Sequence, residues 1–187
     1  MKVIAVNGSP RKNWNTHILL EKCLDGAKEI GAETELINLY DMNFKGCTSC
    51  FACKRKGITI DKCAMKDEMK SFLERLLFPY SSYEGKPSSF GKKINTAFIY
   101  TMNAPSFALP LIGYNKLIKE NKKLMIRIFG SSESLAVTST YQFDDYSKYA
   151  MTLFDGAKRL KRRETVFVED CKKAFLLGKK LCENEKK

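Results

Sequence analysis

Apolar residues fall into two registers along this chain. Val3-Ile4-Ala5-Val6 is a short unbroken run with β-branched members, and Ile94–Met102 is the second strong segment; both predict buried strands of a parallel sheet. Glu33–Leu39 alternates as a short strand, and Ser134–Thr138 reads as a fourth. The segments between them are helical in period. Thr16–Ile30 places Leu20, Leu24 and Ala27 on one face, with Gly31 just past its end. Met69–Leu77 turns Phe72, Leu73, Leu76 and Leu77 toward a core, and Lys116–Phe129 and Asp145–Arg162 read as two further helices. A closing helix runs from about Val166 to Cys182 with Phe167, Cys171, Ala174, Phe175, Gly178 and Leu181 on its inner stripe. A polar, Cys-bearing loop spans about 40–66, and a Pro/Ser/Gly-rich loop spans Pro79–Gly91. Strands alternating with helices predict an α/β domain, a parallel sheet covered on both faces and wound right-handedly. Ligands of such sheets bind beyond the carboxyl ends of the strands, where the loops after the first and third strands lie.

The first of these loops carries the clearest chemistry. Gly8 breaks the strand, a hydroxyl- and amide-rich turn follows, and Thr16 stands where a helix would be capped. A helix N-terminus presents unsatisfied N–H groups and the positive end of its dipole, so this is an anion site. Ser9, Asn15 and Thr16 add donors, Arg11 and Lys12 add charge, and the natural guest is a phosphate monoester. The competing reading is an ordinary strand–helix turn without a ligand. Only Gly8 is present, which excludes both the Walker loop and the three-glycine dinucleotide fingerprint.

At 187 residues with 44% hydrophobic content, the chain predicts one domain over 1–187. No run of eighteen apolar residues occurs, and the early first strand leaves no room for a signal peptide, so a cytoplasmic location without membrane contact is expected. The net charge is +12, with the surplus at Lys54–Lys56, Lys92-Lys93, Lys119–Lys123 and Lys158–Arg163. Such a surface attracts phosphate-bearing cofactors. Nucleic acid is the rival partner, but no helix-turn-helix, RRM or zinc-finger pattern organises these charges, and most of them read as a solvated face. His17 is the single histidine, so a Ser or Cys nucleophile lacks its usual base. The acidic pairs Asp67-Glu68 and Asp144-Asp145 adjoin predicted helix starts, where carboxylates stabilise the dipole. Of seven cysteines, Cys23, Cys171 and Cys182 fall on apolar helix faces as small hydrophobes. Cys47-x-x-Cys50-x-x-Cys53 with Cys63 stands apart: thiolates at this spacing suit an iron–sulfur cluster or zinc, and a redox-active thiol beside Lys54 and Arg55 is a further reading.

The sequence Gly8-Ser9-Pro10-Arg11-Lys12-Asn13-x-Asn15-Thr16 after a strand resembles the flavodoxin-like NAD(P)H-dependent FMN reductases and their relatives, the iron–sulfur flavoproteins. Gly46-Cys47-x-x-Cys50 with Cys53 and Cys63, Asp67-Glu68-Met69, Lys70-Ser71-Phe72-Leu73-Glu74-Arg75 and Thr140–Tyr146 extend the likeness over nearly the whole chain. The resemblance implies a flavodoxin-like three-layer sandwich and places the FMN phosphate at Ser9, Arg11, Asn15 and Thr16. The flavin ring is expected near Tyr100, Thr101, Met102 and Asn103, with Tyr141, Asp144 and Tyr146 either covering it or packing and capping nearby helices. It further implies a [4Fe–4S] centre on Cys47, Cys50, Cys53 and Cys63, although the nine-residue gap before Cys63 is long for the family and the same loop occurs in members without a cluster. NAD(P)H is the implied co-substrate, a small molecule or redox protein the acceptor, and a homodimer or homotetramer the implied assembly.

One family element is missing. Relatives carry a helix and a central strand ending in a Ser-Pro-x-Tyr loop where Asp67-Glu68-Met69 here runs directly into Lys70-Ser71-Phe72. Four strands are therefore expected instead of five, with the gap beside the first strand in the order 2-1-3-4-5. Ile94–Met102 sliding across to pair with Val3–Val6, a strand swapped between protomers, or a poorly folded product are the expected consequences. Two functions follow: an FMN-binding oxidoreductase, or a degenerate member with impaired flavin binding that acts as a non-enzymatic or metal- or thiol-binding protein.

Overall fold

A computed structural model describes residues 1–43, 68–80, 88–150 and 153–183. Strand β1 (Lys2–Asn7) passes through helix α1 (Asn15–Glu29) to β2 (Glu33–Asn38), which pairs with it in parallel, Ala5 opposite Leu36. Helix α2 (Glu68–Leu77) precedes β3 (Ile94–Thr101), which passes through α3 (Tyr114–Phe129) to its own parallel partner β4 (Gly130–Val137), Phe98 opposite Ser134. Helices α4 (Gly156–Glu164) and α5 (Val166–Glu183) close the chain. The fold is flavodoxin-like α/β with four strands among the described residues, split into two ladders, β1–β2 and β3–β4.

Ile94–Met102 thus does not slide across to Val3–Val6: β1 is bonded to β2 and β3 to β4, with no ladder between β1 and β3 among the described residues. The cost is visible in burial. Ile4 is 51% exposed, and no residue of β3 is fully buried, where both apolar runs predict buried strands.

The two ladders are joined by helices. On one face α1 and α5 bury Leu19, Phe167 and Ala174 with Val137 of β4, against Ile99 of β3 and Leu135 of β4. On the other, Leu77 of α2 and Met125, Ile128 and Phe129 of α3 pack with Phe98 of β3, so the consecutive residues Phe98 and Ile99 serve opposite cores. Phe90 meets Phe129 edge-on at 4.9 Å. Helices α1 and α5 approach backbone to backbone: a Cβ on Gly26 would lie 1.9 Å from the Phe175 carbonyl oxygen, and one on Gly178 would lie 1.8 Å from that of Cys23. That contact rotates the α5 stripe, which buries Phe167, Ala174 and Gly178 as expected but takes Asp170, Leu177 and Cys182 in place of Cys171, Phe175 and Leu181.

Two other elements differ from the periodicity. The helix expected over Asp145–Arg162 does not start at Asp145, whose carboxylate instead accepts from Ser147 N (3.0 Å) and Ser147 Oγ (2.7 Å) in a short 3₁₀ turn at Tyr146–Lys148. Phe143 stacks on Tyr149 at 4.2 Å, and α4 begins only where Asp155 accepts from Ala157 N and Lys158 N. Strand β4 begins four residues before Ser134, since Gly130 at φ +97° ends α3 and opens the strand without a loop.

Gly178→Ala is expected to lower stability by more than about 3 kcal/mol in urea unfolding, against the ~1 kcal/mol helix-propensity gain of the same change. Gly91→Ala, with open space around it, should stay within about 0.5 kcal/mol; equal stabilities for the two variants would contradict the packing. Burial raises the Cys23 thiol from 9.0 to about 11. Between those values the unfolded chain holds fewer protons than the folded one, so this group makes stability fall as pH rises from 9 to 11. Peptide mapping after iodoacetamide at pH 8 should find Cys23 unmodified in the folded protein and modified in urea.

Candidate functional site: an arginine-lined loop at the carboxyl ends of the strands

Gly8 follows β1 because Met69 of α2 presses against it; a Cβ there would lie 2.7 Å from the Met69 Cε. The turn then tightens on its own side chains. Asn7 is fully buried, its Oδ1 accepts from Ser9 N (3.0 Å), and its Nδ2 donates to Asn38 Oδ1 (2.9 Å). Ser9 Oγ accepts from Arg11 N (3.3 Å), and Asn13 takes the left-handed conformation at φ +59° that asparagine tolerates.

Helix α1 starts two residues earlier than the capping pattern suggests. Its N-cap is Trp14, not Thr16, no side chain caps it, and its first turn contains no acidic residue. The N–H groups of the first turn are thus left for an anion. Thr16 Oγ1 instead shares a hydrogen bond with Thr101 Oγ1 (2.8 Å), which ties the start of α1 to the end of β3. Asn15 Nδ2 (2.7 Å) and Trp14 Nε1 (3.1 Å) both donate to the Tyr141 carbonyl, and Arg11 Nη1 donates to that of Gln142. Arg11 and Asn15 thus meet the segment after β4, Ser9 is tied to Arg11 within the turn, and Thr16 is turned to the end of β3.

The loop after β3 is fixed by that same segment. Met102 N donates to Val137 O, Ser139 N to Ala104 O and Thr140 N to Met102 O, each at 3.0 Å. Within it the Asn103 side chain has both Nδ2 and Oδ1 buried without a partner. Each such group carries a desolvation cost of about 1–3 kcal/mol unless something binds it. Thr101 faces α1, whereas the Tyr100 hydroxyl accepts from Asn121 Nδ2 of α3 (3.1 Å), and burial raises its pKa. Tyr141 and Tyr146 lie with ring centres 5.4 Å apart, and the Tyr146 hydroxyl accepts from Gln142 N.

Sequence reasoning missed three residues here. Trp14 sits between two guanidiniums, with Arg11 5.0 Å and Arg163 5.7 Å from its ring centre. Arg163, from α4, donates to Asn15 Oδ1 and also lies 4.3 Å from the Phe167 ring centre. Arg159, one turn earlier, donates to the Asn103 carbonyl (3.0 Å). Burial pulls the pKa of all three guanidiniums below its ordinary value; for Arg11 the pull is countered by Asp144 and the Tyr146 and Tyr149 hydroxyls. The Lys158–Arg163 cluster reads in sequence as a solvated face, and Lys158 and Lys161 are indeed exposed. The signal available was arginine, not lysine, at a four-residue spacing.

Cys47, Cys50, Cys53 and Cys63 lie outside the described residues. Among those described, no three His, Cys, Asp or Glu side chains gather where a metal ion could be held, and no helix is long and apolar enough to cross a membrane.

Residues 1–79, which contain β1, the loop, α1, β2 and α2, match the family model described as NADPH-dependent FMN reductase. The N-terminal part of this chain is thus similar to that family. Iron–sulfur flavoproteins are similar over about half of the chain. One from Methanocaldococcus jannaschii is 36% identical over 91 residues, covering 49% of this chain and 45% of that protein. One from Archaeoglobus fulgidus is 37% identical over 91 residues, covering 49% and 42%. The chain thus spans less than half the length of these relatives. The solved structure of an NAD(P)H:quinone oxidoreductase from Methanothermobacter marburgensis shares the fold, with a TM-score of 0.62 at 14% identity over 96% of this chain and 98% of that one.

The α4 arm that carries the arginines is held by Arg162 Nη2 on Asp170 Oδ2 of α5 (2.6 Å), a pair with side chains only 17% and 7% exposed. Asp170→Ala should cost about 3–5 kcal/mol by urea unfolding, and the double variant with Arg162→Met should recover much of it. A loss below 0.5 kcal/mol would show that the arm is held elsewhere.

Proposed function

We propose that this protein is an FMN-binding oxidoreductase that passes electrons from NAD(P)H, or from an iron–sulfur centre on Cys47, Cys50, Cys53 and Cys63, through the flavin to a small acceptor. The observation that carries the reading is the uncapped start of α1, flanked by Arg11 and Arg163 across Trp14, within a segment of FMN reductase sequence. Such a start suits a phosphate monoester, because free N–H groups, a helix dipole and guanidiniums all favour negative charge there.

Bound FMN would supply two-electron exchange with NAD(P)H and one-electron exchange with a cluster. The chain's own part is binding and orientation. Ser9, Asn15, Thr16 and Arg11 hold the phosphate, for which the present bonds of Asn15 and Arg11 to backbone carbonyls, of Thr16 to Thr101 and of the Arg11 N–H to Ser9 Oγ are exchangeable. The orphaned amide of Asn103 offers one donor and one acceptor to the polar edge of the ring, and Thr101 and Met102 fix the loop that presents it.

A second reading, a degenerate member with impaired flavin binding, is favoured by the division between β1 and β3, which leaves less support for the ring than a continuous sheet. The test is an absorption spectrum of protein purified without oxygen, with iron and sulfide analysis and an FMN fluorescence titration. The expected result is a two-banded flavin spectrum released as FMN on denaturation, with weaker affinity than a relative with an uninterrupted sheet. Broad added absorbance with about four irons per chain would give the cysteine quartet its role. A colourless protein that takes up no FMN would overturn the oxidoreductase reading in favour of the degenerate one.

A further inference from the structure

Arg159 and Arg163 stand four residues apart on α4, on one face and separated by a rise of about 6 Å. They reach different loops: Arg163 donates to Asn15 at the start of α1, Arg159 to the carbonyl of Asn103 after β3. Arg162 between them is neutralised by Asp170, whereas among the described residues neither Arg159 nor Arg163 makes an ion pair. Both are partly buried, and Arg159 Nε is buried without a partner. A half-desolvated cation without a counter-ion is costly unless something else offsets it, and a hydrogen bond to a neutral amide or a ring face offsets only part. The indole of Trp14 is shared by two guanidiniums of like charge, beside an uncapped helix start with no acidic residue in its first turn. Below Arg159 lies the Asn103 amide with neither polar atom satisfied.

We propose that α4 is a two-point arginine clamp, in which Arg163 recognises the phosphate of the bound ligand and Arg159 fixes the other end of that ligand over the loop after β3. The ligand class is a phosphate monoester joined to a planar polar ring, and the assignment rests on the FMN reading of the loop. The clamp makes the second half of the chain part of the binding site, through residues outside the segment that matches the FMN reductase family. It separates two contributions to affinity that the geometry keeps apart: charge at the phosphate end, positioning at the ring end.

Trp14 is the single tryptophan of the chain, so its fluorescence reports this site alone. FMN, riboflavin and inorganic phosphate are titrated into the wild type, Arg163→Gln, Arg163→Lys and Arg159→Gln, each checked by circular dichroism and thermal unfolding. Arg163→Gln should weaken FMN and phosphate about 10–100-fold and leave riboflavin unchanged. Arg163→Lys keeps the charge but not the fork and should recover part of the phosphate affinity. Arg159→Gln should weaken FMN and riboflavin by the same factor and leave phosphate unchanged. A loss of FMN and riboflavin affinity in equal measure in Arg163→Gln, or no loss in either glutamine variant, would overturn the clamp while the FMN reading stands. Quenching by phosphate that depends on Arg163, in a wild type that takes no flavin, would overturn the FMN reading and uphold Arg163 as the anion-recognition residue. Absence of any response to phosphate or flavin in the wild type would overturn both.

Discussion

The close approach of α1 and α5 at Gly26 and Gly178 carries what the sheet does not. In a continuous parallel sheet, backbone hydrogen bonds run from one edge to the other and fix the spacing of every strand. Here the ladders β1–β2 and β3–β4 are not bonded to one another. Helix α1 packs on β1, β2 and β3, and α5 packs on α1, β3 and β4, so this helix pair spans the division. Carbonyl oxygens of one helix lie where a Cβ of the other would be, which brings the axes closer than side chains normally allow. The joining of the two halves therefore depends on two positions where any side chain at all is too large, in addition to the buried apolar residues around them.

The candidate site is the second seam between the same two halves. Thr16 on Thr101, Asn15 and Trp14 on the Tyr141 carbonyl, Arg11 on that of Gln142 and Arg163 on Asn15 all join residues more than 80 positions apart. A ligand held by both sides of that seam binds only the folded chain, and it stabilises the fold by mass action.

What could be read from the sequence was local. The runs Val3–Val6 and Ile94–Met102 predict β1 and β3 because strand periodicity is a property of adjacent residues, and Gly31 marks the end of α1 because its φ of +88° suits glycine. The phosphate loop is legible for the same reason: Gly8 to Thr16 are contiguous. The capping of α1 was misplaced because Thr16 finds a partner in Thr101, 85 positions away, that no local pattern announces. The helix start at Asp145 failed because Asp155 offers the same capping chemistry ten residues on, and the stacking of Phe143 on Tyr149 decides between them. Arg159 and Arg163 were invisible as site residues because a basic cluster looks the same whether it faces water or a loop 148 positions earlier.

The division of the chain into a part with FMN reductase sequence and a part without it has a physical meaning at the site. The matched part supplies the strand, the turn and the uncapped helix start, a generic anion cradle whose donors are mostly backbone and small side chains. The remainder supplies Thr101, the unsatisfied amide of Asn103 and the arginines of α4, side chains that bring directional polar groups and charge to the same place. The two sets of groups meet only because β3 and α5 lie against α1. In this arrangement the geometry of the candidate site depends on the packing of α5 on α1 as much as on the segment that resembles the family model.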